Sequence, residues 1–224
     1  QVAKCGGETY TYDLNARDAY EVFPFSEGNG GYTVKVFEHV SGNQYMQAAS
    51  ATVNVSLSDQ FLPFLYPNQY VNFNDSSQAV SLANTLAASA PDQLGIVKNV
   101  YDYVTDNVTY DYAKAASVQS GYLPDIDQTL ATKTGICFDY AALMTAMLRS
   151  QNIPTKLVVG YTGSIYHAWV SVNLENIGWV DNVIYFDGHD WKLMDPTFAS
   201  SGNKSQEIMD YINNAANYQA KYSY

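Results

Sequence analysis

The sequence predicts an α+β protein, because strand-like and helix-like patterns occupy separate stretches of its 224 residues. Residues 8–60 alternate between apolar and polar side chains, as strands do. Residues 75–150 instead repeat apolar positions three and four apart, which is typical of helices. Runs rich in Val, Ile, Tyr and Trp follow between 155 and 194. We therefore expect a central helix packed on an antiparallel sheet, preceded by a small β unit.

The first 74 residues are predicted to form an N-terminal β domain of sandwich-like build. The clearest alternation runs through residues 51–58, where apolar side chains occupy every second position. Ser41-Gly42-Asn43 and the glycine-rich stretch 27–31 are turn signals between strands. Residues 61–74 are rich in Phe, Tyr and Pro and poor in charge, so we interpret them as a packed connector.

Residues 75–224 are predicted to form a second domain that begins with helices. One helix is expected from about Asp75 to Ala90, and Pro91 marks the start of the next. The apolar positions of both helices recur on one face, which indicates core packing. Residues 111–133 are expected to be loop or short helix.

The most apolar helix begins at Cys137 and is ended by Asn152 and Pro154. Its apolar residues lie on nearly all sides, so it is predicted to be central in the fold. The strands expected after it cover residues 155–161, 166–174, 177–186 and 190–194. A helical run over about 206–217 and a tyrosine-rich tail complete the chain.

The charge of the chain excludes some classes of partner. It contains 22 acidic and 11 basic residues, a formal net charge of −11, and no basic cluster. Nucleic acids and anionic lipid surfaces are therefore not expected as partners. No apolar run approaches the roughly 18 residues of a membrane span.

The composition favours a location outside the cell or at its surface. Tyrosine is abundant, at 20 residues, while charged residues make up 15% of the chain. The chain begins at Gln1 instead of Met, which fits either a cleaved secretion signal or trimming of the chain.

The two cysteines are too few for a disulfide framework. Cys5 follows Lys4 near the N-terminus, and we interpret it as an incidental thiol; a lipid-attachment cysteine is the alternative. A disulfide between Cys5 and Cys137 is not expected. No Cys and His cluster has the spacing of metal ligands, so neither a metal nor another cofactor is predicted.

Three residues could together make a thiolate nucleophile: Cys137, His167 and Asp195. A thiol at a helix N-terminus loses its proton more easily, because that end of the helix favours negative charge. The imidazole can take the proton, and the carboxylate can hold the imidazole in the required tautomer. The alternative interpretation is that Cys137 is a small buried hydrophobic residue.

The motifs around these residues resemble those of the transglutaminase-like superfamily. They are Gly135-x-Cys137-x-Asp139-Tyr140-Ala141, His167-Ala168-Trp169-Val170 and Asp195-Pro196-Thr197, in the order that the family shows. The resemblance covers roughly residues 94–200 and not residues 1–70. It implies a papain-like arrangement in which Cys137 is the nucleophile, His167 the general base and acid, and Asp195 the residue that orients His167.

Further roles are predicted around the nucleophile. The backbone N–H of Cys137 would stabilise an oxyanion, and Gly135 would let substrate approach the backbone. The resemblance implies a second oxyanion donor upstream, for which the candidates are Tyr103, Tyr110 and Gln128. Asp139 is expected to cap the helix or pair locally, because a free carboxylate there would oppose the thiolate.

The remaining histidines and tryptophans are not expected to take part in the chemistry. His39 lies far from the motifs in sequence, and His189 is interpreted as an exposed turn residue. Trp169 and Trp179 are predicted to pack in the core rather than to bind substrate.

The predicted function is thiol-dependent acyl transfer on peptide or glutamine-type amides. An extracellular cysteine peptidase or amidase is favoured. The resemblance implies it, because bacterial-looking members of the family that carry extra β modules are associated with proteolysis at the cell surface. The same residues would serve a transglutaminase that forms isopeptide cross-links. A non-catalytic surface binding module is the alternative of a different class. The expected partner is a protein or peptide substrate, and a cell-wall or surface polymer could bind the N-terminal domain.

Overall fold

The structure is a computed structural model that describes residues 1–16, 18–180, 184–186, 191–193 and 214–224. Its α-helices are α1 (Gln78–Ala88), α2 (Gln93–Asn107), α3 (Tyr112–Ser117), α4 (Ile126–Thr132) and α5 (Cys137–Ser150). Its strands are β1 (Val2–Lys4), β2 (Thr9–Tyr10), β3 (Gly30–Ser41), β4 (Gln44–Val55), β5 (Thr109–Tyr110), β6 (Thr134–Gly135), β7 (Thr155–Thr162), β8 (Ile165–Leu174), β9 (Gly178–Val180), β10 (Ile184–Phe186), β11 (Trp191–Leu193) and β12 (Tyr218–Ser223). The predicted α+β class is confirmed.

The N-terminal strands form one antiparallel sheet in the order β2-β1-β3-β4. Strands β3 and β4 are a long hairpin that turns at Gly42, where the positive φ of 54° suits glycine. This turn confirms the one predicted at Ser41-Gly42-Asn43. The sequence predicted a sandwich-like unit, but nearly all of β4 and the second half of β3 are exposed. Among the described strands of this region no second sheet covers the hairpin, so its alternating pattern belongs to a ribbon in solvent.

The helices agree with the sequence prediction except at their ends. Helix α1 begins after Ser77 and ends at Ala88, two residues earlier than expected. Helix α2 begins after Asp92, whose carboxylate accepts a hydrogen bond of 2.8 Å from the Gly95 N–H. Residues 111–133 contain the two short helices α3 and α4.

Helix α5 is buried along almost its whole length, as its sequence predicted. Every residue from Asp139 to Arg149 is buried. The helix packs against α1, α2 and α4 on one side and against β7 and β8 on the other. This position makes its first turn, where Cys137 lies, a fixed point between the helices and the sheet.

The second sheet is antiparallel and has the order β12-β7-β8-β9. Strand β12 comes from the tyrosine-rich tail, which the sequence did not predict to be a strand. Of the predicted strand over 177–186, the structure describes β9 and β10 as strands, and residues 181–183 lie outside the described residues. Strand β10 pairs with β11. Most of the helix predicted over 206–217 lies outside the described residues, and residues 215–217 form a short 3-10 turn.

Aromatic side chains join the base of the N-terminal sheet to the second sheet. Tyr10 packs edge-on against Tyr224 at 5.5 Å between ring centroids, and Tyr70 does so at 4.6 Å. Tyr12 packs against both Tyr70 and Tyr224. The predicted domain boundary at residue 74 stays a prediction, but these contacts bury both units in one core.

Arg149, near the end of α5, forms hydrogen bonds with three separate parts of the chain. Its buried guanidinium donates to the backbone carbonyls of Thr155 (2.9 Å), Tyr66 (2.8 Å) and Tyr224 (2.6 Å). These bonds hold the connector and the C-terminal strand against the helix, and they give the buried cation polar partners.

Candidate active site

Cys137 is the first residue of α5. Ile136 precedes it with an extended backbone, and the Ile136 N–H donates to Asp139 Oδ2 at 2.8 Å. The N–H groups of the first helical turn have no carbonyl partner within the helix, so the N–H of Cys137 is suited to bind an oxyanion. Cys137 is partly exposed, and both Cys5 and Cys137 are free thiols.

His167 lies on β8, directly opposite Gly160 of β7. Its side chain is buried, and its ring stacks on Trp169 with 6.3 Å between centroids. Gly160 is required by close packing, because a Cβ there would lie 2.0 Å from the Gln219 carbonyl oxygen and 2.9 Å from the Trp169 ring. Strand β12 and Trp169 therefore leave no room for a side chain on β7 at the position opposite His167.

Cys137 and His167 line the same cleft, which has a volume of ≈430 Å³. The sequence predicted that these two side chains would be brought together. The described residues that line the cleft are Tyr70, Tyr110, Ala115, Val118, Gln119, Ser120, Gly121, Tyr122, Ile136, Cys137, Phe138, Val159, Tyr166, His167, Ala168 and Tyr224. Five tyrosines and Phe138 are among these residues, and none of the described lining residues is Asp, Glu, Lys or Arg.

Asp195 lies outside the described residues, and so does His189. The proposed orientation of His167 by Asp195 therefore stays a prediction.

The family model of the transglutaminase-like superfamily core matches residues 80–182. This span includes α5, β7 and β8, and so both Cys137 and His167. This part of the chain belongs to the transglutaminase-like superfamily.

Two curated proteins match part of this chain. UPF0252 protein MJ1282 of Methanocaldococcus jannaschii is 35% identical over 97 residues, which are 38% of this chain and 28% of that protein. Uncharacterized protein YebA of Bacillus subtilis is 29% identical over 138 residues, covering 52% and 19%. The chain thus spans less than a third of these curated relatives. Among solved structures, the periplasmic domain of TgpA from Pseudomonas aeruginosa matches with a TM-score of 0.46 and 20% identity, over 64% of this chain and 49% of that chain.

Of the three predicted oxyanion donors in the transglutaminase-like region, Tyr110 lines the cleft. Tyr103 and Gln128 are not among the described residues that line it. Gln128 is exposed on α4, and Tyr103 lies on α2 at the edge of the core. Of the three candidates for the second oxyanion donor, Tyr110 is therefore the one whose position is compatible with that role.

Asp139 caps the start of α5, as the sequence predicted, and it also bonds two side chains that are distant in sequence. Its fully buried carboxylate accepts hydrogen bonds from Lys114 Nζ at 2.7 Å and from the Tyr122 hydroxyl at 2.5 Å, besides the one from Ile136. Gly135 is required beside it, because a Cβ at position 135 would lie 2.7 Å from the Asp139 Cβ. This packing explains why a glycine is needed at position 135, and the sequence interpretation did not predict it.

Lys114 and Tyr122 were not predicted as site residues. Lys114 Nζ also donates to the Tyr122 hydroxyl at 2.5 Å and lies 4.4 Å from the centre of that ring. Burial on its own lowers the pKa of Lys114, but the hydrogen bonds to Asp139 and Tyr122 outweigh it and raise that pKa. Burial and the bond to Asp139 raise the pKa of Tyr122 to about 12. At neutral pH, Lys114 is therefore a cation and Tyr122 keeps its proton.

Of two further titratable groups, Tyr166 lies near the thiol and His39 lies away from it. Burial, followed by the charges of Tyr222, Tyr161 and Cys137, raises the pKa of Tyr166 at the rim of the cleft. His39 is exposed on the hairpin, where Nε2 lies 2.9 Å from the Gly42 carbonyl oxygen.

Neither metal ligation nor membrane spanning is found in the part of the chain that the structure describes. No group of three or more His, Cys, Asp or Glu side chains there could hold a metal ion. Among the same residues, no helix combines the length and the apolar character needed to cross a membrane.

Proposed function

We propose that this protein is a cysteine acyl-transfer enzyme that acts on peptide or glutamine-type amides. Cys137 is the nucleophile, His167 the general base and acid, and Asp195 the residue that orients His167. The observation that supports the proposal most is that the thiol at the start of α5 and the imidazole on β8 line one cleft.

The reaction proceeds in two halves. His167 takes the thiol proton, and the Cys137 sulfur attacks the amide carbonyl carbon to form a tetrahedral intermediate. The Cys137 N–H stabilises the oxyanion, a contribution of about 3 kcal/mol for one such donor. The amine or ammonia leaves with the proton from His167 and leaves a thioester on Cys137.

The second half of the reaction decides the type of enzyme. If water attacks the thioester, a carboxylic acid is released and the protein is a peptidase or amidase. If an amine attacks, a new amide forms and the protein is a transglutaminase. We favour hydrolysis, as the family resemblance implies. We also propose a location outside the cell, which is in keeping with the acidic, tyrosine-rich and lysine-poor composition.

Alkylation of the two cysteines tests the first half of the reaction. Iodoacetamide should label Cys137 much faster than Cys5 near neutral pH, as measured by mass spectrometry of the peptides. His167→Ala should slow the labelling of Cys137 by about 10-fold or more, since it removes the base. His39→Ala, a histidine exposed on the hairpin, is the matched control and should leave the rate unchanged.

Equal labelling of Cys5 and Cys137 that does not respond to His167→Ala would contradict the enzyme and favour a non-catalytic binding module. Asp195→Asn tests the third residue. It should slow labelling less than His167→Ala does, because it affects the orientation of the imidazole and leaves the imidazole present.

A substrate assay tests the second half. A glutamine-containing peptide is incubated with a fluorescent primary amine, and cleavage, deamidation and amine incorporation are counted by mass spectrometry. Cleavage or deamidation without incorporation supports the hydrolase. Incorporation at a rate above hydrolysis would assign the protein as a transglutaminase.

A further inference from the structure

We propose that Lys114 is a positioning residue, which offsets the charge of Asp139 beside Cys137 and fixes Tyr122 in the wall of the cleft. This inference rests on the proposed function, since it assigns the residue that keeps the nucleophile reactive. Nothing in the motifs around Cys137, His167 and Asp195 points to residue 114, which precedes the nucleophile by 23 positions.

The first observation is the position of a buried carboxylate two residues after the nucleophile. Asp139 caps the start of α5 by accepting from the Ile136 N–H, and its side chain is completely buried. The same negative charge opposes a thiolate on Cys137, because both lie in the first turn of one helix. Lys114 Nζ bonds the Asp139 carboxylate at 2.7 Å, so the helix keeps its cap while the charge is offset.

The second observation is that the segment of residues 115–122, which forms one wall of the cleft, is bonded to α5. This segment supplies six of the residues that line the cleft. Within this segment, the Val118 N–H donates to Lys114 O and the Tyr122 N–H to Gln119 O. The Tyr122 hydroxyl instead reaches α5, where it donates to Asp139 and accepts from Lys114. Its ring also packs edge-on against Phe138, next to the nucleophile.

Lys114 is itself held in place. Asp111 caps the short helix α3 by accepting from the Lys114 N–H at 2.8 Å, and the Asp111 N–H donates to the Gly135 carbonyl. The lysine side chain is therefore anchored at its backbone and at its ammonium group. A freely moving surface lysine would contribute much less to the potential at the thiol.

The charges around Cys137 come from several elements. Strand β8 carries Tyr166 and His167, and the other titratable groups of the described surroundings are Asp13, Tyr70, Tyr110, Asp111, Lys114, Tyr122, Asp139 and Tyr224. Asp13 lies beside Gly121, and Asp111 caps α3. The tyrosines are neutral near pH 7, and Lys114 is the described cation that bonds Asp139 directly. Removal of Lys114 leaves Asp139 as an unbalanced negative charge.

The test compares alkylation of Cys137 by iodoacetamide in the wild type and in charge variants, between about pH 5 and pH 9. Lys114→Met should slow alkylation near pH 7 by about 10-fold and move its pH midpoint upward, since the thiolate is less favoured. Lys114→Met combined with Asp139→Asn removes both charges and should return the rate to within about 3-fold of the wild type. Lys114→Arg keeps the charge and should also lie in that range.

The matched control is Lys98→Met. Lys98 pairs with Asp102 on the exposed side of α2, away from the cleft lining, and the variant changes the net charge equally. It should alkylate like the wild type. Equal slowing by both lysine variants, or a double variant no faster than Lys114→Met, would overturn the charge role.

Tyr122→Phe provides a second, less disruptive variant in case Lys114→Met fails to fold. It removes one hydroxyl and keeps the ring that packs against Phe138. We expect alkylation by the bulky N-tosyl-phenylalanine chloromethyl ketone to change by about 3-fold or more relative to iodoacetamide, because the wall loses its bond to α5. An unchanged ratio of the two rates would contradict the wall role.

The experiment separates failure of this inference from failure of the proposed function. Labelling of Cys137 that depends on His167 but not on Lys114 refutes the inference and leaves the enzyme intact. Labelling that depends on neither residue refutes both.

Discussion

The two sheets of this protein differ sharply in how their strands are buried. Strand β8 is buried from His167 to Val172, and most of β7 is buried as well. In the N-terminal sheet, β4 is exposed along eleven of its twelve residues. Apolar side chains such as Val40, Tyr45 and Met46 lie in solvent on the hairpin.

This contrast separates the sheet that carries the candidate base from the distal part of the hairpin, which contributes little to the core. The candidate base lies on a strand packed between helix α5 and neighbouring strands, where its side chain has little freedom. The distal part of the hairpin contacts mainly itself and solvent. Substitutions should therefore have large effects in β7 and β8 and small effects at the end of the hairpin.

The largest difference is expected for truncation of a buried apolar side chain. Leu157 of β7 is fully buried, so Leu157→Ala should lower the free energy of unfolding by about 3 kcal/mol through lost burial and a residual cavity. Val53→Ala, in the exposed strand β4, should change it by less than about 1 kcal/mol. Urea unfolding followed by far-UV circular dichroism measures both values.

Similar losses for the two variants would contradict the expected difference between the sheets. They would mean that β4 is covered by another part of the protein in solution.

The sequence was most informative where a local pattern also decides the tertiary position. Helix α5 is apolar on nearly all sides, and such a helix can only be stable when it is surrounded. The hairpin turn at Gly42 was readable because a short turn signal separates two alternating runs. The Cys137 and His167 motifs predicted a shared cleft, and the structure brings both residues to it.

Contacts between distant segments could not be read from one sequence. Strand β12 pairs with β7 across more than fifty intervening residues, and its tyrosine-rich sequence does not indicate which strand it pairs with. The bonds of Lys114 and Tyr122 to Asp139 join separate elements in the same way. Asp125 and Asp111 do cap short helices by local bonds, but these helices were too short for periodicity to reveal.

Substitution of a glycine should also affect the two sheets differently. Gly160→Ala would place a Cβ 2.0 Å from the Gln219 carbonyl oxygen, so β12 would have to move away from β7. We expect a loss of about 2 kcal/mol in the free energy of unfolding and slower alkylation of Cys137, because His167 lies opposite this glycine. Gly42→Ala meets no atom within 4 Å and should cost about 1 kcal/mol from its positive φ alone, with no effect on alkylation.

The outcome that would contradict this prediction is slower alkylation in both glycine variants. Cys137 would then respond to general destabilisation and not to the local position of β8.

The smallest effect is expected on the stability at alkaline pH. It should involve the buried tyrosines where β2 meets the second sheet, and not the exposed tyrosine Tyr45 on the hairpin. Burial raises the pKa of both Tyr10 and Tyr70 from 10.0 to about 12, and it raises the pKa of Tyr12 as well. Between about pH 10 and pH 12 the unfolded chain releases protons that the folded state retains. The stability present below pH 10 is therefore lost progressively as the pH rises through this range.

Tyr12→Phe removes one of these groups and also a buried hydroxyl that has no hydrogen-bond partner among the described atoms. Its alkaline unfolding midpoint should rise by a few tenths of a pH unit, and its stability near pH 7 should stay equal or increase by up to about 1 kcal/mol. Tyr45→Phe, at an exposed position of the hairpin, should change neither quantity. A lower alkaline midpoint for Tyr12→Phe would show that its hydroxyl is bonded in solution and that the base of the sheet is held by more than ring packing.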